Sequence, residues 1–214
     1  DITERSFINL DERHFGHVTG TTRSFERTVT EDAGPFEKSI GRRTYQAHCV
    51  MGARAYNSND PKRIPLSLMI NILGGPAANS RLNMLLREKN GLTYNVEAAY
   101  TPSSDTGFAS IYFGTDKEST ERCVGLIGEE LETLKNTALT SRQLSVAKKQ
   151  FTGQLAIAME SREGYMLSAA KSYLVYGDVD SPEETYKKID ALTSVELMDV
   201  ANEVFDKMSI LTYK

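Results

Sequence analysis

The apolar positions of this chain recur in two rhythms, every third or fourth residue and every second residue, and their order outlines a fold. Residues 1 to 18 follow the helical rhythm, with Ile8 and Phe15 a heptad apart, Phe7 and Leu10 three apart on adjoining faces, and Gly16 near the end. Residues 19 to 35 carry too much Thr, Gly and charge for a core element and read as a long connection with room for one edge strand. From Thr44 the pattern alternates. Tyr45, Ala47, Cys49 and Met51 fall on one face and Gln46, His48 and Val50 on the other, which predicts a strand buried on at least one side.

Asp60-Pro61 has the form of a cap followed by proline at the first helical position. The helix it starts carries Leu66, Met69, Ile70 and Leu73 and stops at Gly74-Gly75-Pro76; a second begins around Asn79 or Ser80, carries Leu82, Leu85 and Leu86, and ends at Gly91. Two β-compatible runs follow, TYNVEAAYTP and TGFASIYFGT, joined by Ser103-Ser104-Asp105, and these turn residues predict an antiparallel hairpin. Residues 117 to 135 place Cys123, Leu126, Ile127, Leu131 and Leu134 at helical spacing. Three later helices announce themselves with capping boxes: Thr140 with Gln143, Ser181-Pro182 with Glu184, and Thr193 with Glu196. In each, a hydroxyl and a side chain three residues on satisfy amide donors that the first helical turn leaves unpaired. The segment from Thr140 to about Tyr176 is long, with Gly153 and Gly164 as candidate bends or close helix contacts, and MSILTY closes the chain as a short strand. Helices in blocks and hairpin-type strands predict an α+β layer, a mainly antiparallel sheet covered on one face by helices, in a single domain spanning 1–214.

Composition fits that reading. The 214 residues are 40% apolar and 25% charged, the balance of a globular protein that buries an ordinary core. A net charge of −4 and a pI near 5.5, with no basic run of five, argue against nucleic acid or an anionic membrane as partner. No window approaches the roughly 20 apolar residues of a membrane helix, and no signal segment opens the sequence. The expectation is a soluble chain, cytoplasmic or, in a bacterium, periplasmic, although DITERSF without a Met is also how a processed or truncated piece begins. Cys49 and Cys123 sit in apolar contexts and read as buried free thiols that do not report the compartment.

Ordinary catalytic constellations are missing. Of three histidines, His14 and His17 are three apart, but Gly16 intervenes, and neither H-E-x-x-H nor H-x-x-E-H occurs; they read as a solvated helix end. His48 reads as a hydrogen-bonded, half-buried strand histidine, and Cys49 beside it points to the opposite face, so the two form no dyad. Gly74-Gly75-Pro76 lacks both phosphate-loop signatures and reads as a helix end with a tight turn. What remains is REKNGLTY, residues 87 to 94, where a helix ends at a glycine and leaves Arg87 and Tyr94 seven positions apart.

That stretch belongs to an ordered set: Leu73-Gly74-Gly75, Ser80-Arg81-Leu82, Arg87 to Tyr94, Asp105-Thr106-Gly107, then Leu144 with Ala147-Lys148. As a set, over roughly residues 43 to 206, it resembles the second, non-metal-binding domain of the insulinase and pitrilysin-type zinc peptidases, which include the mitochondrial processing peptidase. Their pattern runs L-G-G-G, S-R-L, R-E-K-x-G-L-x-Y, D-T-G and E-L-x-x-A-K. Here the glycine loop is one residue longer and has Pro76 in place of a third glycine. The resemblance implies a clamshell in which one half holds zinc and this C-terminal half, with no metal ligand of its own, lines the peptide chamber and is inactive alone. It further implies that Arg87 hydrogen-bonds peptide carbonyls and that Tyr94 donates to the oxyanion or a neighbouring carbonyl. The implied partners are the N-terminal zinc-binding half, on the same chain or another subunit, and a peptide substrate. The family also contains non-catalytic scaffold or peptide-binding subunits, which is the alternative role. Finally, the chain starts where the family's domain has already run through its first strand, so the resemblance implies a sheet edge absent or supplied otherwise.

Overall fold

A computed structural model describes residues 2–20 and 34–214. The chain divides into two compact units, Asp1–Asp32 and Ala33–Lys214. The first contains helix α1, Glu4–Phe15, capped by the Thr3 side chain, which accepts from the Ser6 amide at 3.3 Å, and ended at Gly16, whose N–H donates to the Glu12 carbonyl. No residue of α1 is buried, and His14 and His17 are exposed at its C-terminal end. Most of the expected connection, residues 21–33, lies outside the described residues.

The second unit is built on a five-stranded sheet of order β1-β5-β2-β4-β3, with β1 Glu37–Ile40, β2 Ala47–Ala55, β3 Thr93–Pro102, β4 Gly107–Thr115 and β5 Ser209–Tyr213. The β2–β4, β2–β5 and β3–β4 pairs are antiparallel and only β1–β5 is parallel. The expected hairpin is β3–β4. The sheet edge beside β5 is present and is formed by β1, a strand the apolar pattern does not reveal. Three of its four residues are exposed, so it is held by backbone pairing and not by an alternating apolar face. The expectation for Tyr45 is also corrected. β2 begins at Ala47 because Ala47 pairs with Thr115, the last residue of β4, and Tyr45, with no strand left opposite it, is fully exposed.

Helices α2 (Arg63–Gly74), α3 (Thr120–Asn136) and α7 (Ser194–Phe205) cover one face of the sheet. Leu66, Met69 and Leu73 of α2, Cys123, Ile127 and Leu134 of α3, and Leu197, Val200 and Val204 of α7 meet Cys49, Met51, Ile111 and Phe113 in one core. Both cysteines are free and buried, and burial pushes their thiols up from the usual range. α2 starts two residues later than Pro61 because Asp60 Oδ1 accepts from the Lys62 amide and closes a turn first. All three capping boxes form, at the starts of α4 (Ser141–Glu160), α6 (Pro182–Ala191) and α7.

The long helical segment breaks at neither glycine. Ser161 adopts an extended backbone and its hydroxyl accepts from the Gly164 amide at 3.1 Å, which ends α4 and starts α5 (Arg162–Tyr176). Gly153 lies inside α4 facing open space. Ser161 is thus a cap in the middle of an apparently continuous helix, and local side-chain competition for backbone donors is what stops the ladder there.

Candidate functional site

The site is assembled where α2 runs into the edge strand β3. Gly74 ends α2 against that strand so closely that a Cβ there would lie 2.6 Å from the Ala98 amide nitrogen and 2.8 Å from the Ala98 methyl. Gly75 is pressed likewise onto its own helix, where a Cβ would meet the Asn71 carbonyl oxygen at 2.6 Å. These glycines are required by close approach, since neither has a positive φ. Asn71, nearly buried, fixes this corner to α4 through a 2.7 Å bond to Gln154.

After the loop the chain turns helical again, and from Asn83 to Lys89 it is a π-helix. Leu82 and Leu86 are fully buried and anchor it, while Arg81 ties it to α3 through a 2.6 Å ion pair with Glu130. π-turns are rare and concentrate at functional sites, because the wider turn re-aims the residues that follow. The exit is locked three ways. Gly91, at φ +60, donates to the Arg87 carbonyl, Leu92 donates to the Leu86 carbonyl, and the Asn90 side-chain Nδ2 donates to the Leu85 carbonyl at 2.9 Å. Arg122 then holds the Asn90 oxygen at 3.0 Å. Arg87 therefore leaves from a fixed last turn.

Tyr94 is positioned by a different device. In the β3–β4 ladder Thr93 pairs with Thr115 and Asn95 with Gly114, so Tyr94 is an extra, unpaired residue, a β-bulge. The Thr93 hydroxyl clamps it, shared between the carbonyls of Gly114 at 2.5 Å and Asn95 at 2.7 Å. The bulge shifts the alternation by one residue. Thr93 is buried, Tyr94 and Asn95 are both exposed, and Val96 and Ala98 return to the core. A bulge turns a side chain out of the pleat, and Tyr94 accordingly stands 87% exposed.

Both residues line one cavity of about 360 Å³, whose walls are the loop Gly74 to Ala78, Ser80, Asn83 and Arg87 from the helix, and Tyr94 to Ala98 from the edge strand. The sequence motif contains Arg87 and Tyr94, and the cavity adds Asn83, Asn95 and Glu97 to them. Asn83 sits four residues before Arg87 on the same helical turn, and the break in alternation at Asn95 was the signal for the bulge. Arg87 makes only a loose contact with its neighbour Glu88, Nε to Oε1 at 3.7 Å with both side chains more than half exposed, so its guanidinium fork is available to a ligand. A larger cavity, about 670 Å³, lies among α2, α4, α5 and α6. Its walls are mainly apolar and its charged groups are already engaged, Lys188 with Asp180 at 2.5 Å, Arg63 over the Tyr176 ring and Asp178 accepting from the Val179 amide. The chemistry therefore points to the smaller one. His48 is half-buried and hydrogen-bonded through Nδ1 to the Tyr112 hydroxyl at 2.8 Å, as its strand context predicts.

Among the described residues no three His, Cys, Asp or Glu side chains gather closely enough to hold a metal ion, so the residues present do not fit a zinc site. Nor is any described helix long and apolar enough to cross a membrane.

The family described as "Peptidase M16 inactive domain" matches residues 1–151. The chain is a member of this family. The M16 inactive domain here is 29% identical over 202 residues to an uncharacterized zinc protease, YmxG, of Bacillus subtilis, an alignment covering 94% of this chain and 48% of that protein. It is 28% identical over 190 residues to one of Streptomyces coelicolor, covering 89% and 41%. The chain thus spans about half the length of the curated relatives it matches. Among solved structures, the M16 inactive domain of Pseudomonas fluorescens superposes with a TM-score of 0.81 at 23% identity, over all of this chain and 52% of that one. A protease of Helicobacter pylori gives 0.82 at 18%, over all of this chain and 53% of that one. These likenesses establish the α+β fold.

Proposed function

We propose that this M16 inactive domain is the C-terminal half of a zinc metalloendopeptidase and forms one wall of its peptide chamber, with Arg87 and Tyr94 as its substrate-contacting pair. The observation that carries the reading is that a helix end and a β-bulge, two independent backbone devices, bring these side chains to one open cavity. The names of the relatives, zinc proteases twice as long, supply the reaction class. Zinc belongs to the remainder of the longer protein, where it supplies the Lewis acidity for hydrolysis.

The residues of this chain bind and orient. The Arg87 fork donates two N–H groups to successive peptide carbonyls and stays charged at every working pH. The Tyr94 phenol donates to the carbonyl oxygen of the bond being cut, where negative charge grows on the way to the transition state. A preorganised donor of that kind contributes about 2.7 to 4 kcal/mol. By itself the chain binds peptide weakly and cuts nothing.

Arg87→Lys in the full-length protein tests the binding role, because lysine keeps the charge and loses the fork. Hydrogen bonds of a charged donor contribute about 1.5 to 3 kcal/mol, so KM for peptide rises about ten- to a hundredfold. An unchanged KM removes Arg87 from the substrate contact and favours a scaffold role for the domain.

A further inference from the structure

Helix α5 is apolar on two faces, and the structure uses only one. Tyr165, Ala169 and Tyr176 line the large cavity it shares with α2, α4 and α6. On the far side Met166, Leu167, Ala170, Tyr173 and Leu174 fall at three-, four- and seven-residue spacings and form a second stripe. Met166 and Leu167 are each 59% exposed, Tyr173 64% and Leu174 84%, and no residue of α5 is buried. Contiguous exposed apolar surface marks a contact site.

We propose that this stripe is the surface on which the other half of the longer protein packs. The inference rests on the reading of this chain as one half of a two-half peptidase. Three considerations choose that occupant. The matched relatives carry about as many residues again as this chain covers, so a partner of equal size belongs to the same polypeptide. A tethered half meets the stripe at a high effective concentration, ahead of any second molecule. The stripe is also made of Met, Leu and Tyr, with Arg162 and Glu163 at its N-terminal end and Lys171 flanking Leu167 and Leu174, and permanent contacts have such charge-depleted centres.

The test is thiol labelling of the full-length protein, in which this chain's own Cys49 and Cys123 give little background because both are buried. A cysteine is placed on the stripe by Leu174→Cys and, separately, on the exposed flank of α4 by Lys149→Cys as a reference. The proposal expects maleimide to modify the Leu174→Cys protein at least tenfold more slowly than the Lys149→Cys protein under native conditions, and equally fast in denaturant. Equal native rates overturn it. Protection that disappears on dilution assigns the stripe to a second copy and also overturns it. Because the readout involves no proteolysis, free labelling at 174 with Arg87 still needed for peptide binding sinks this inference alone. Protection at 174 with Arg87 and Tyr94 dispensable sinks the functional reading alone.

Discussion

Replacing Gly74 with alanine sets two opposed effects against each other at the corner that builds the cavity. Alanine is the better helix former, which at the last residue of α2 is a gain of at most about 1 kcal/mol. Against it, the new Cβ would stand 2.6 Å from the Ala98 nitrogen, 2.8 Å from the Ala98 Cβ and 3.2 Å from the Glu97 carbonyl carbon. Two of those three atoms are backbone and cannot rotate away, so the helix end and the edge strand must separate. Overpacking of this kind costs about 1 to 3 kcal/mol, and the rigid neighbours place it in the upper part of that range. The net expectation is a loss of about 1 to 2 kcal/mol, or roughly 2 to 8 °C in Tm for a domain of this size. Gly153→Ala is the internal control, since Gly153 lies mid-helix with nothing within 4 Å, and it should gain up to about 1 kcal/mol. Thermal and urea melts followed by circular dichroism compare the two. If Gly74→Ala stabilises as Gly153→Ala does, the close approach of loop and strand is wrong.

Thr93→Val removes the hydroxyl that clamps the bulge and leaves two carbonyls short of a donor, so it should cost about 1 to 3 kcal/mol in urea melts and lower peptide cleavage by the full-length protein; unchanged stability and cleavage would show the clamp to be irrelevant. Glu203 accepts from Lys62 and from the Tyr56 hydroxyl, and these bonds hold its carboxyl below the usual glutamate range. A depressed carboxyl stabilises the fold above the ordinary pKa of about 4.3 and stops doing so as pH falls through its own lower value. The Tm advantage of the native protein over Glu203→Gln should therefore be present at pH 7 and shrink below about pH 4; the opposite trend would refute the pairing.

Much of the fold was legible because its signals are local. The capping boxes at Thr140, Ser181 and Thr193, the hairpin turn at 103–105 and the spacing of Leu66, Met69 and Leu73 each depend on a few neighbouring residues. β1 was hidden because its partner β5 lies some 170 residues away and its own residues alternate in nothing. Ser161 was hidden because a helix-compatible sequence continues on both sides of it. At the candidate site the sequence offered Arg87, Gly91 and Tyr94 as a motif. The π-turn was invisible, since Leu82, Leu85 and Leu86 satisfy an α-helix equally well. Asn83 was within reach of the motif, four residues before Arg87 on one helix, whereas Glu97 comes to the cavity wall through the packing of Gly74 on Ala98.

Tyr94→Phe in the full-length protein removes one oxygen and asks whether the Tyr94 phenol acts on the bond being cut. Steady-state cleavage of a fluorogenic peptide should show kcat lower by about a hundred- to a thousandfold with KM nearly unchanged. Turnover at the native rate would show that the phenol takes no part in cleavage.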